Sequence, residues 1–499
     1  MTRFLRWVWV PVAVLAVLPL MVAAVPPLHD YPFHLARADA MAALFGQVGH
    51  GTPYVLGSLL LPNLAMDAVM LGLTAVQAPA VAGRVFLGLV LLLMLGGTAA
   101  LHRALHGRWS AWPLVFGFFL YNAIFAFGFT NYLFGVGVML WAVAAWVAMA
   151  GSRLRVVVGC LAAVVLLFCH LVAFGLFSVV LGGLALDRVL RGGRWRGVLE
   201  AAVPVLIGLV VFVLLSPTAG EVRQPLAYRG AWAWKPMVAW RTLLGVSPWL
   251  DLVTLGPVVA GGAWLAVTGR LVVARRMVAG LVLLGFAFAV MPYALFGSLY
   301  GDARLPVALL AVAVASVDVR GVSGRVAGAL VVAGLGLFAG RMGAVAVDWA
   351  GMQGRFAAHD AAFATLPAGS VLWAATAAPY PTLLWRGADE LALWRPPLKH
   401  VASLASVGRD AFVPSTWADP FKQPIAVPER LRAAKALQGD NPWRTPDGAA
   451  LGEAVAAVRR LGPGGFVLLS YPERLQGALP AGLDAVVSGP EFLLLRILP

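Results

Sequence analysis

The stretch His29-Asp30-Tyr31-Pro32-Phe33-His34-Leu35-Ala36-Arg37-Ala38-Asp39 brings a carboxylate, an imidazole and a guanidinium close together in a chain with only 12% charged residues. Asp30 stands at a natural helix N-cap, with Pro32 in the first turn. Asp30, His34 and Arg37 follow one another at i, i+4 and i+7, so a helix presents them on one face. Such a trio can accept a proton, orient the acceptor of that proton and meet an anion. The plain alternative is a cap plus a surface ion pair, which is common and carries little energy. Three ionisable groups clustered in so uncharged a chain favour a site, with His29 as an adjoining substrate contact.

Further polar residues are spread along the chain. Leu61-Pro62-Asn63-Leu64-Ala65-Met66-Asp67 sets Asn63 and Asp67 four apart, on one face if the segment is helical. Asp67 is thereby a second candidate acid or metal ligand. Tyr121, Asn122, Asn131, His170, Asp302 and Arg304 fall where apolar runs end. Polar groups at such places are a functional hypothesis by default. Singly, each has a structural reading: His170 as a satisfied helix end, and Asp302 with Arg304 as an ion pair. The segment 216–249 interleaves Arg223, Arg229, Lys235 and Arg241 with Trp232, Trp234, Trp240 and Trp249. That mixture marks the headgroup zone of a bilayer, and arginine there also suits a lipid-linked phosphate. Cys160 and Cys169 fit no metal or redox spacing and read as small buried hydrophobes. No GxGxxG, GxxxxGK, HExxH or GxSxG stands in a usable context, so nucleotide binding has no support.

The elements that position these residues are set by composition. The chain has 499 residues, 61% of them hydrophobic, against about 45–50% in a soluble domain. It reads as an α-helical polytopic membrane protein with the lipid bilayer as its surroundings. The first span is Leu5–Val25, after Arg3 and Arg6. The segment 57–76 carries Pro62, Asn63 and Asp67, which are costly in lipid, and reads as a helix along the outer surface. Ten more spans follow at about 80–101, 111–128, 132–150, 156–171, 174–187, 198–215, 250–268, 277–297, 305–317 and 325–345. This gives about 11 transmembrane helices, with the N-terminus inside and the C-terminus outside.

The charge supports that path. Of the formal net charge of +15, the inner loops hold fifteen basic residues against three acidic ones. The excess therefore reports orientation, and no nucleic acid is expected as a partner. The transmembrane domain runs over 1–345, with a first outer loop at 26–79. Residues 346–499 read as an extracytoplasmic α/β domain. Ser370–Ala375, Gly465–Ser470 and Phe492–Leu498 are its buried strands, and Arg430–Leu437 and Gly452–Leu461 its helices. The proline-rich stretch His400–Pro424 reads as an ordered loop packed on the rest, or capping a cavity.

An Asp in the first external loop, directly after the first span and ahead of a surface helix, resembles the GT-C-type glycosyltransferases. These include the protein O-mannosyltransferases and the aminoarabinose transferases. The resemblance extends over nearly the whole chain through its span count, long first outer loop and outer C-terminal domain. It implies an enzyme of the bacterial inner membrane that uses a polyprenyl-phosphate-linked sugar as donor. The acceptor would be a glycan, lipid or protein. Asp30 would be the catalytic base, with His34, Arg37 and Asp67 around it. His29, Asn63, Asn131, His170, Arg229, Asp302 and Arg304 would contact substrate. Many members carry paired acids at this point, whereas Tyr31 follows Asp30 here, so a divalent metal is left open. A transporter or flippase, and a non-catalytic envelope-assembly protein, are the competing readings. A transporter would place ionisable residues at mid-span, where this chain is nearly bare.

Overall fold

The computed structural model describes residues 2–193, 195–216, 226–228, 233–245, 247–295, 298–378, 398–462 and 465–499. Among them the helices begin with α1 (Thr2–Val22), α2 (Tyr31–Leu44), α3 (Ala65–Thr74), α4 (Pro79–His106), α5 (Ala123–Ala126), α6 (Thr130–Ala148), α7 (Leu154–Cys169) and α8 (Leu171–Leu190). They continue with α9 (Arg196–Leu215), α10 (Trp234–Leu243), α11 (Pro248–Val267), α12 (Val278–Val290), α13 (Gly301–Ser316), α14 (Gly324–Phe363), α15 (Arg432–Gln438) and α16 (Gly448–Leu461). The strands are β1 (Val55–Leu56), β2 (Leu271–Val273), β3 (Val317–Val319), β4 (Leu372–Thr376), β5 (Ile425–Ala426), β6 (Trp443–Arg444), β7 (Phe466–Ser470), β8 (Leu483–Ser488) and β9 (Phe492–Ile497).

The chain forms two compact units. One comprises Met1–Val22, Leu60–Ala65 and Phe86–Asp348; the other comprises Ala23–Leu59, Met66–Val85 and Trp349–Pro499. They do not follow the chain order 1–345 and 346–499, because the second also takes in most of the first outer loop.

The first unit is helical. Six helices touching the described residues are long and apolar enough to cross a membrane, and α7 is a shorter apolar one. The run 132–187 folds as α6, α7 and α8, because continuous apolar sequence leaves helix as the structure that satisfies its backbone in lipid. Small residues let these helices meet closely. A Cβ on Gly183 of α8 would lie 2.3 Å from the Cα of Gly280 in α12, a backbone approach that glycine permits. The span expected at 111–128 is not one helix. Trp112–Phe119 is a 3₁₀ helix, and α5 follows it. The cause is Asn122, whose side chain accepts from Phe125 N and starts a new helix there. The span expected at 325–345 runs on as α14 to Phe363.

One buried acid gathers the arginine-rich loops of this unit. Strands β2 and β3 pair antiparallel, with Val272 opposite Asp318. Asp318 is fully buried and accepts from Arg108 Nη2 at 2.7 and 2.8 Å and from Arg320 Nε at 3.3 Å. His102 Nε2 lies 3.7 Å away. The two arginines hold the Asp318 carboxyl below its usual range against the opposing pull of burial.

The second unit is built on a five-stranded mixed sheet in the order β6-β4-β7-β9-β8. β4 runs parallel to β6 and β7, while β9 runs antiparallel to β7 and β8. Leu451, Val455 and Val458 of α16 recur at helical spacing and pack on Trp373, Val467 and Leu469 of the sheet. A second apolar cluster joins Ala40 and Met41 of α2 with Tyr54, Phe412, Ala418 and Ile425. The β1–β5 ladder, Val55 opposite Ala426, ties the same two stretches of chain together.

Candidate functional site

In the second unit, α2 is buried from Tyr31 to Ala42 on all its faces. That is unusual for a helix carrying His34, Arg37 and Asp39, and it requires partners for each charge. Arg37 has them. Its Nε donates to Asp67 Oδ1 at 2.5 Å and its Nη2 to Asp67 Oδ2 at 3.1 Å. Its Nη1 donates to Gln423 Oε1 at 2.6 Å, and Nη2 lies 3.2 Å from His34 Nδ1. This is a bidentate fork on a carboxylate, the strongest geometry an arginine makes. Asp67 is thus the counter-ion of Arg37, and the i, i+3 step from His34 to Arg37 brings those two side chains together.

Asp30 is placed differently. It occupies the N-cap position of α2, but its side chain makes no cap hydrogen bond. The expected cap is therefore not where this carboxylate is used. It lies instead between two imidazoles, with Oδ1 3.8 Å from His29 Nε2 and 3.7 Å from His400 Nε2. All three residues are buried. His400 belongs to the 3₁₀ segment Leu398–Ser406, which packs on α2. Phe33 lies against its ring at 4.0 Å and Trp417 against Phe33 at 4.6 Å. Burial pushes the His29 imidazole down to about 3, with Lys399 adding to the effect. Burial likewise holds His400 well below its ordinary value, helped by His29 and Lys399. Burial lowers Lys399 too, while the Asp30 carboxylate pulls it back up. Two neutral imidazoles and a lysine therefore surround one carboxylate. At the start of α2, Tyr31 is seated against Gly83, where an added Cβ would lie 2.1 Å from the phenol oxygen.

The same trio is a donor set for a divalent cation. One ligand atom from each of His29, Asp30 and His400 lies within 4.8 Å of the others. A tetrahedral shell at zinc distances needs them about 3.4 Å apart, so modest closure suffices. The imidazole nitrogens nearest Asp30 are Nε2 of His29 and Nε2 of His400. The residues present fit a cation.

The remaining expected site residues lie in the first unit. Asn63 is not on a helix with Asp67. It precedes α3 with φ +98°, and the N–H groups of Asn63 and Leu64 both donate to Phe168 O. A proline just ahead and this left-handed backbone break the expected helical face. Asn131 Nδ2 donates to Asn63 O at 2.9 Å. His170 caps α8, accepting from Val172 N at 3.1 Å, and its ring meets Tyr132 at 5.4 Å. Tyr132 in turn donates to Arg304 O at 2.6 Å. Asp302 and Arg304 are not an ion pair with each other. Asp302 Oδ2 takes Lys235 Nζ at 2.8 Å, while the Arg304 guanidinium lies 4.6 Å over the Phe129 ring. Arg229 lies outside the described residues.

Sequence reasoning did not single out His400, Lys399, Gln423 or the Lys235–Asp302 pair as site features. Gln423 stands 386 residues from the arginine it binds, and no local spacing announces such a contact. The proline- and aromatic-rich character of 400–424 was the available signal.

No family model matches this sequence, and no curated protein matches it either. Solved structures do. The crystal structure of ArnT from Cupriavidus metallidurans in the apo state aligns with a TM-score of 0.54 at 14% identity, covering 99% of this chain and 98% of that one. The structure of the same protein bound to undecaprenyl phosphate aligns with a TM-score of 0.52 at 13% identity, with the same coverage. The chain has that fold over its whole length: a multi-pass, mostly helical membrane protein with a C-terminal β-sheet domain.

Proposed function

We propose that this protein transfers a sugar from a polyprenyl-phosphate donor to an acceptor on the extracytoplasmic face of the bacterial inner membrane, with Asp30 as general base. The observation that carries this reading is the buried Asp30 carboxylate, unused as a helix cap and set between His29 and His400. The GT-C fold and the undecaprenyl phosphate bound by the similar ArnT support the donor class. In the transfer, an acceptor hydroxyl oxygen bonds to the anomeric carbon as the bond from that carbon to the phosphate oxygen breaks. The hydroxyl proton passes to Asp30, and the polyprenyl phosphate leaves as the anion. His29 and His400, kept neutral by burial, flank and orient the carboxylate. Lys399 supplies positive charge near the reacting groups. Arg37, held by Asp67, Gln423 and His34, acts as the fixed post of α2 rather than as a phosphate ligand.

His29, Asp30 and His400 are also the residues that would hold a divalent cation, which would supply Lewis-acid stabilisation of the departing phosphate. The base assignment does not depend on it.

The test is a strain lacking the gene, complemented with wild type or Asp30→Asn, in which lipid-linked sugars are measured by mass spectrometry. The donor accumulates with Asp30→Asn, whose rate falls by about 10²-fold or more. Complementation at the wild-type level removes Asp30 as the base. Elemental analysis of the same purified proteins reads the cation, which His400→Ala would lose together with Asp30→Asn.

A further inference from the structure

A separate cavity of about 460 Å³ opens in the first unit, lined by Arg153, Arg155, Arg188, Arg191, Arg196 and Glu200. Its walls are the turn between α6 and α7 and the turn between α8 and α9. Five guanidinium groups face one carboxylate there, and the lining is not internally neutralised. Glu200 is shared by Arg155 and Arg196, the latter at 3.2 Å. Arg191 is held by Asp187 at 2.9 Å. Arg153 and Arg188 have no salt-bridge partner among the described residues. Arg155 is 2% exposed, with its plane 4.6 Å over the Trp146 ring, yet its Nε and Nη1 are buried without hydrogen bonds among the described residues. Buried guanidinium donors left over in a basic cavity call for an anion with several acceptor oxygens. The turn after α8 is tight, since a Cβ on Gly193 would lie 2.7 Å from Arg188 O.

The surroundings say where that anion comes from. The cavity sits where four apolar helices end, and Trp195 beside it is 73% exposed, as an interfacial tryptophan is. From its rim, α7 presents Leu154, Val157 and Leu161 outward at 57, 54 and 63% exposure. α9 presents Leu199, Val203 and Leu206 in the same way at 64, 40 and 57%. Both sets repeat at helical spacing, so an apolar track starts at the basic cavity.

We propose that this cavity binds the phosphodiester headgroup of an anionic phospholipid, with the acyl chains lying along the exposed faces of α7 and α9. The arginine-rich loops place the site in the leaflet that the positive-inside rule assigns to the cytoplasm. It is a lipid site distinct from the donor chemistry proposed for Asp30, and it needs none of the residues named there.

The experiment uses the full chain, delipidated in detergent and titrated with phosphatidylglycerol or phosphatidylcholine, with bound lipid counted by native mass spectrometry. Wild type retains phosphatidylglycerol in preference to phosphatidylcholine. The double variant Arg153→Gln/Arg188→Gln removes two cations that make no salt bridge among the described residues, and binds phosphatidylglycerol about 30-fold more weakly. Arg325→Gln, which removes an exposed basic residue away from the cavity, retains it. Equal retention of the two lipids by wild type overturns the proposal, as does an equal loss in Arg325→Gln. Inorganic phosphate is run as a parallel ligand. If it saturates the cavity and displaces the lipid at millimolar concentration, the occupant is a soluble phosphate and the lipid assignment fails. A melting curve for each variant keeps loss of folding separate from loss of binding.

Discussion

Arg37 and Arg155 are buried to nearly the same degree, at 1% and 2% exposure, in a chain poor in charge. Their partners differ. Every nitrogen of the Arg37 guanidinium is engaged, by Asp67, Gln423 and His34. Arg155 has a carboxylate on Nη2 alone, and its Nε and Nη1 are buried without a hydrogen bond among the described residues. A buried charge whose donors are all matched is part of the framework, because removing either side strands the other. A buried charge with donors left over is incomplete until something arrives. The first arginine holds up α2, on which Asp30 stands; the second waits in a cavity.

This contrast can be broken by substitution. Arg37→Met should cost about 3–5 kcal/mol of stability, because Asp67 is left as an uncompensated buried carboxylate. Thermal or denaturant unfolding of the detergent-solubilised full chain reads the loss, and a cost below 1 kcal/mol would show that the fork is ornamental. Asp39 is an intermediate case. It accepts from Gly408 N at 3.0 Å and lies 3.5 Å from His50, but burial still raises its carboxyl above the ordinary value. The native state thus holds this proton to a higher pH than the unfolded chain does. The associated stability is present at low pH and is lost as pH rises through the raised value. Asn keeps the acceptor for Gly408 without the charge, so Asp39→Asn should gain on wild type in melting temperature from pH 3.5 to pH 6. A constant difference across that range would place Asp39 with Arg37 among the fully matched charges. The smallest effect is expected at Arg155→Met, at under about 1 kcal/mol, because Glu200 keeps Arg196 and the lost guanidinium was only partly satisfied. A loss equal to that of Arg37→Met would erase the distinction between the two arginines.

The sequence made part of this plain. Apolar runs bounded by arginine located α6, α7, α8 and α9 to within a few residues, because continuous hydrophobicity in lipid leaves the backbone one solution. The strands β4, β7 and β9 were legible as short apolar runs between turn residues. The break at 119–122 was not, since it depends on one asparagine directing its side chain inward to a backbone N–H. At the site, the spacing of Asp30, His34 and Arg37 suggested one trio, whereas His34 and Arg37 meet each other and Asp30 lies with His29 and His400. What each charge pairs with was beyond local pattern. Asp67, Gln423 and His400 arrive from 30 to 386 residues away, and only folding brings them in. The same limit explains Asp302, whose neighbour at i+2 suggested a pair that the helix geometry of α13 denies, leaving Lys235 to fill the role.

Asp318, buried in the β2–β3 ladder with Arg108, Arg320 and His102 around it, has a meaning for assembly as well as for packing. A single acid here collects basic residues from loops more than 200 positions apart. The contact forms only where the loop carrying Arg108 meets the β2–β3 ladder, so one buried carboxylate ties two distant stretches of this unit together.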